Sequence, residues 1–141
     1  MKKSVIIMML MCILLCGCGM KLGEEVTSEV DRVDVKIEVD TASVTATGCI
    51  YTMINNTEGD FAYDGSYGIH MEKDGKWYQV EAKNAVAMTG ELLWLPAGSS
   101  EEMTLDWSSA YGELKAGHYR IVKNFADFTD GYDIAGEFEV K

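Results

Sequence analysis

The side chains of this 141-residue sequence with the widest chemistry are two histidines, four cysteines and 23 acidic residues. His118 lies in a Leu-x-x-Gly-x-Tyr run, and His70 falls on the polar side of a strand pattern. No Gly-x-Ser-x-Gly elbow is present to raise a serine nucleophile. Serines and acids are so numerous that a Ser/His/Asp set can be drawn around either histidine, which makes such a set uninformative. The expectation is a chain that is not an enzyme and that needs no cofactor. Zinc lacks a ligand set, because Cys49 and the two histidines do not stand at the spacing such centres use. Asp127, Asp130 and Asp133 recur every three residues around Gly131, and Asp60 and Asp64 stand in another loop. Calcium takes carboxylates from flexible loops of this kind. The spacing is not that of an EF-hand, so the alternatives are a weak calcium site and a merely solvated loop.

The remaining candidate is an aromatic surface. Asp74-Gly75 between two β-rich runs is a strong signal for a two-residue type I′ hairpin. That loop pairs Lys73 with Lys76 and Glu72 with Trp77. Tyr67, Ile69, Met71, Tyr78 and Val80 then share an apolar face, while His70, Glu72, Trp77 and Gln79 share the other. Two readings stay open. Trp77, His70, Glu72 and Gln79 form an exposed partner-binding patch, or a second sheet covers them and Trp77 is core. Trp94 beside Leu92, Leu93 and Leu95 offers a second partner surface, or else it belongs to the core or to an edge strand, and Trp107 reads as core.

The elements that position these residues have a period of two. Val33, Val35, Ile37 and Val39 alternate with charged residues, which marks a half-buried strand. Ser43 to Asn55 is β-rich with an ambiguous register: Tyr51 and Met53 lie on one side, Ile50 and Ile54 on the other. Further strands are read at Leu92–Leu95, around Met103 and Leu105, at His118–Lys123, and at Tyr132–Val140, with Asn124–Gly131 as an acidic loop. No helical period stands out. The pattern implies an all-β antiparallel sandwich of about seven to nine strands.

The N-terminus carries an address. Lys2 and Lys3 precede an apolar run from Val5 to Leu15. That run is shorter than the roughly 20 residues a membrane span requires, and it reads as a secretory signal peptide. Leu15-Cys16-Gly17-Cys18 resembles the bacterial lipobox, in which the last Cys is lipidated and becomes the mature N-terminus. The expected layout is a signal peptide at 1–17, a lipidated Cys18 with a flexible acidic tether at 18–31, and one domain at 32–141. The expected location is the extracytoplasmic face of a cell membrane. Losing residues 1–17 removes two lysines and no acid, which takes the formal charge from −11 to −13. Such a chain repels phosphate backbones, so nucleic acid is not an expected partner. Anionic head groups repel it too, so acyl chains must supply the membrane affinity. Cys49 is then the one cysteine left in the domain, and it reads as buried and inert, or else as an intermolecular thiol.

Two stretches carry a family resemblance. One is Lys73-Asp74-Gly75-Lys76-Trp77-Tyr78. The other is Pro96-Ala97-Gly98 with Leu105-Asp106-Trp107 and the run from Tyr111 to Ile121. Together they resemble the bacterial immunoglobulin-like domains of Gram-positive surface proteins and lipoproteins. The resemblance implies an immunoglobulin-like β-sandwich, and the Leu114–Tyr119 run looks like a tyrosine corner. Ile121 stands where an antibody domain has its second core Cys, so an antibody-type core is not implied. The family has no common reaction or ligand. The expected function is a non-catalytic, surface-tethered binding or structural module whose partner is another protein or an envelope component. The alternatives are a β-sandwich proteinase inhibitor, using Asn84–Glu91 or Asn124–Gly131 as its loop, and an accessory subunit or sensor of an envelope complex.

Overall fold

The computed structural model describes residues 20–86 and 90–141. The segment expected to be a signal peptide, and Cys18, lie outside the described residues. Ten strands form two antiparallel sheets. They are β1 (Leu22–Val26), β2 (Val35–Val39), β3 (Gly48–Asn55), β4 (Phe61–Tyr63), β5 (Gly68–Lys73), β6 (Lys76–Val80), β7 (Leu93–Leu95), β8 (Ser100–Asp106), β9 (Gly117–Ala126) and β10 (Gly131–Val140). A single helical turn, α1 (Ser108–Tyr111), links β8 to β9. The larger sheet runs β1-β6-β5-β9, with β4 and β7 continuing on the β5 side of β9 and β10 on its other side; the smaller is β2-β3-β8.

The β5–β6 hairpin has the register read from its turn. Asp74 and Gly75 both take positive φ, 53° and 76°, as a type I′ turn requires. Glu72 pairs with Trp77 and Met71 with Tyr78. The ambiguous segment around Tyr51 is resolved by the core. Cys49, Tyr51, Met53 and Asn55 are buried, and Ile50 and Ile54 turn away. As the middle strand of its sheet, β3 points its bulkiest side chains into the space between the layers. The Cys49 thiol sits there, and burial pushes it up to about 11, so it is protonated and inert at neutral pH.

At one end of the core, Trp107, Phe138 and Tyr119 stack with ring centres 5.4 and 5.6 Å apart. Trp107 is wholly buried, and its indole N–H donates to the Ala46 carbonyl at 2.8 Å. The Tyr119 hydroxyl donates to the Lys115 carbonyl at 2.6 Å, which is the tyrosine corner. Lys123 also points inward. Its ammonium donates to the carbonyls of Asp64 and Ser66 at 2.9 and 2.8 Å, which offsets the cost of burying the charge.

Three expectations are corrected. Residues 22–26 are not tether but strand β1, paired with β6 at Glu25–Tyr78 and Val26–Trp77. An edge strand leaves one side to water, so its acidic composition does not prevent pairing. The described residues hold ten strands rather than about seven to nine, because β1 and the three-residue β4 lay hidden in segments read as loop. The acidic loop is also shorter than expected, since β9 continues to Ala126 and β10 begins at Gly131.

Candidate functional site

On each strand of the larger sheet alternate residues face outward, and the register lines them into rows. Gln79, His70, Arg120 and Glu137 are successive cross-strand partners on β6, β5, β9 and β10. Trp77 pairs with Glu72, and His118 with Glu139. The outer face therefore carries two histidines, an arginine, a tryptophan and three glutamates within a few residues of one another.

Arg120 is buried although it faces outward. Its Nε donates to His70 Nδ1 at 3.1 Å, and its guanidinium carbon lies 4.4 Å from the centre of the Trp77 ring. The cation is thus held by an imidazole edge and an indole face. Accepting at Nδ1 requires that nitrogen to be unprotonated. Burial first, and then the charge of Arg120, push His70 down to about 4, so it is neutral at physiological pH. Burial also lowers Arg120, against the charges of Asp31 and Glu137. The His118 ring stands 5.7 Å from that of Trp77, centre to centre. His118 Nε2 lies 3.1 Å from Glu137 Oε1 and 3.8 Å from Glu72 Oε2, all three side chains being partly exposed.

The structure brings His70, Glu72, Trp77 and Gln79 onto one face, as the hairpin register implied, but it does not make them an exposed aromatic patch. Glu72 and Gln79 are exposed, Trp77 is half-buried, and His70 is 8 % exposed. The cause is Arg120, which fills the space between them. Sequence reasoning missed Arg120 and the pairing of His118 with two glutamates. A signal existed: inward Tyr119 and Ile121 force residues 118 and 120 outward. Which strand lies beside β9 was not readable from that alternation.

The three aspartates serve a turn. Asp127 Oδ1 accepts from the Thr129 and Asp130 backbone N–H groups at 2.7 and 2.8 Å and from the Thr129 hydroxyl at 2.7 Å. Asp130 caps Gly131 N at 2.8 Å, and Asp133 takes the Asn124 amide at 3.1 Å. Asp60 and Asp64 are similarly engaged, with Ala97 N and Ser66 N. Among the described residues the group whose ligand atoms converge is Glu72, His118 and Glu137, not the aspartates. A groove of about 580 Å³ between β2 and β10 is lined largely by charged side chains, Asp31, Arg32, Lys36, Glu38 and Glu137 among them.

Two antiparallel sheets closed over a tyrosine corner agree with comparison to known families, in which the bacterial Ig-like domain model matches residues 31–139. The chain belongs to the bacterial Ig-like domain family. No curated protein matches it. Membership makes the chain a β-sandwich module of a family whose domains are generally non-catalytic. Among the described residues no helix is long and apolar enough to cross a membrane.

At the far end of β9 the Ig-like domain exposes aromatics. Trp94 on edge strand β7 is 46 % exposed, Phe128 in the β9–β10 turn 89 %, and Leu92 60 %. The two rings meet at 5.8 Å. Trp94, Ala62 and Ala126 are cross-strand partners, so small neighbours leave the indole room to stand clear. The alternative in which Trp94 is core is thereby corrected, and the edge-strand alternative holds.

Proposed function

We propose that this Ig-like domain is a non-catalytic binding module, tethered by lipid at Cys18 to the outside of a cell membrane, and that it grips a protein or envelope partner through the Trp94–Phe128 end. The tether rests on the lipobox. The binding reading rests on one observation: two aromatics and a leucine are exposed together on a rigid frame. Hot spots of interfaces are rich in Trp and in apolar anchors surrounded by polar rims. The turn that presents Phe128 is preorganised, with Asp127 N donating to Asp130 O at 3.0 Å beside the Asp127 side-chain bonds. Preorganisation lowers the entropy lost on binding.

The same rigid turn favours a second reading, proteinase inhibition, in which Phe128 enters an enzyme pocket. The other proposed inhibitory loop, Asn84–Glu91, lies partly outside the described residues.

Cross-linking in intact cells tests the module. The Trp94→Ser/Phe128→Ser double variant is expected to melt like wild type and to lose the wild-type cross-linked partner. An unchanged cross-link pattern overturns the reading. Cys18→Ala is expected to abolish fatty-acid labelling, and persistent labelling removes the anchor. Inhibition of a proteinase panel by wild type, lost on Phe128→Ser, would favour the second reading.

A further inference from the structure

We propose that Glu72, His118 and Glu137 form a binding site for a divalent first-row transition metal, zinc above all, on the outer face of the larger sheet. The three residues come from β5, β9 and β10, three strands adjacent in the sheet. Their ligand atoms lie within 4.8 Å of one another. His118 Nε2 stands 3.1 Å from Glu137 Oε1 and 3.8 Å from Glu72 Oε2. Zinc binds nitrogen and oxygen at about 2.0–2.2 Å, which sets tetrahedral ligands about 3.3 Å apart. Side-chain adjustments of up to about 1.5 Å bring this set to that spacing.

The donors suit the metal. One imidazole with two carboxylates is a borderline set that zinc and its neighbours accept, whereas calcium and magnesium prefer oxygen alone. As a ligand, the imidazole presents Nε2 without its proton. Two carboxylates cancel the ion's charge. Arg120 feels the charge of Glu137, but its Nε is engaged by His70 and its plane by Trp77. The Trp77 ring flanks the His118 ring and limits its rotation, as surrounding groups do at metal sites. Three protein ligands leave a fourth position open to water or to a partner's side chain. The frame is rigid, because β9 and β10 pair along their whole length and β5 pairs with β9 at Met71–Tyr119, just before Glu72 and His118. A bound ion would tie the three strands together.

The test uses the purified full chain in detergent. Zinc at micromolar concentration is expected to raise the melting temperature by several degrees. His118→Gln and Glu137→Gln are each expected to weaken zinc about tenfold or more, while Glu102→Gln on the other sheet leaves binding unchanged. Cobalt or copper supplies a local readout. Either ion is expected to quench Trp77 fluorescence, a quench that Trp77→Phe removes while zinc stabilisation survives. Zinc stabilisation that is equal in wild type, His118→Gln and Glu102→Gln overturns the proposal, as does the absence of any zinc effect on wild type. These outcomes are independent of whether the Trp94–Phe128 end binds a partner.

Discussion

The three tryptophans stand in three different solvents within one sandwich, and the contrast between Trp107 and Trp94 is the widest. Trp107 stacks on Phe138, gives its N–H to a carbonyl and has no exposed surface. Trp94 stacks on Phe128 at a similar distance, 5.8 Å, yet nearly half of it meets water. Ring geometry is therefore not what separates structure from function here. The first cluster buries its area within the fold and stabilises it. The second holds its area free, and that free energy is recovered only when something else covers it. Trp77 lies between, its face used by a buried arginine and its rim open.

The sharpest break in this contrast is Trp107→Ala. A cavity in the core, and the loss of one of the two hydrogen bonds to the Ala46 carbonyl, which keeps the Leu114 N–H at 2.8 Å, should cost about 3–5 kcal/mol in denaturant unfolding. A loss under about 1 kcal/mol would mean that this end of the core is loosely packed.

The next effect is a dependence on pH. His70 faces Arg120 and Asp133, and in the fold it titrates near 4 rather than at its ordinary 6.5. Between those values the unfolded chain binds a proton that the native state refuses. Stability from this group is thus present above pH 6.5 and is lost as pH falls towards 4. At about 1.4 kcal/mol for each tenfold change in proton affinity, the loss is at most about 3 kcal/mol. His70→Gln, which can still accept from Arg120, should flatten the stability curve in that window. An identical slope in both proteins would show that carboxylates alone govern it.

Trp77→Ala comes third, at about 1–2 kcal/mol, for the cation–π contact and the uncovering of Arg120. A cost as large as that at Trp107 would make Trp77 a core residue, and no cost would make it a free surface. Smallest is Phe128→Ser, expected within about 0.5 kcal/mol of wild type by thermal melt. A larger loss would show that the exposed pair supports the fold and is not held available for a partner.

Alternation and turn chemistry made several local features legible. Asp74-Gly75 dictated its own hairpin, because positive φ at both positions leaves one way to pair the flanking strands. Leu114 to Tyr119 announced the tyrosine corner through short-range geometry, and Trp107 announced the core. β1 escaped notice because an acidic edge strand is made by its partner β6, not by its own composition. The same physics hid the site. Period two says that His118 and Arg120 face outward, and that His70, Glu72 and Trp77 share a face. It says nothing about which strands are neighbours. Sequence alone determined the strand character and the faces. Only the tertiary structure decided that β5 and β10 flank β9, that Arg120 occupies the space beneath Trp77, and that two glutamates meet one histidine. Those contacts join residues far apart in the chain, whose meeting is set by sheet order, a long-range outcome of packing that no local period encodes.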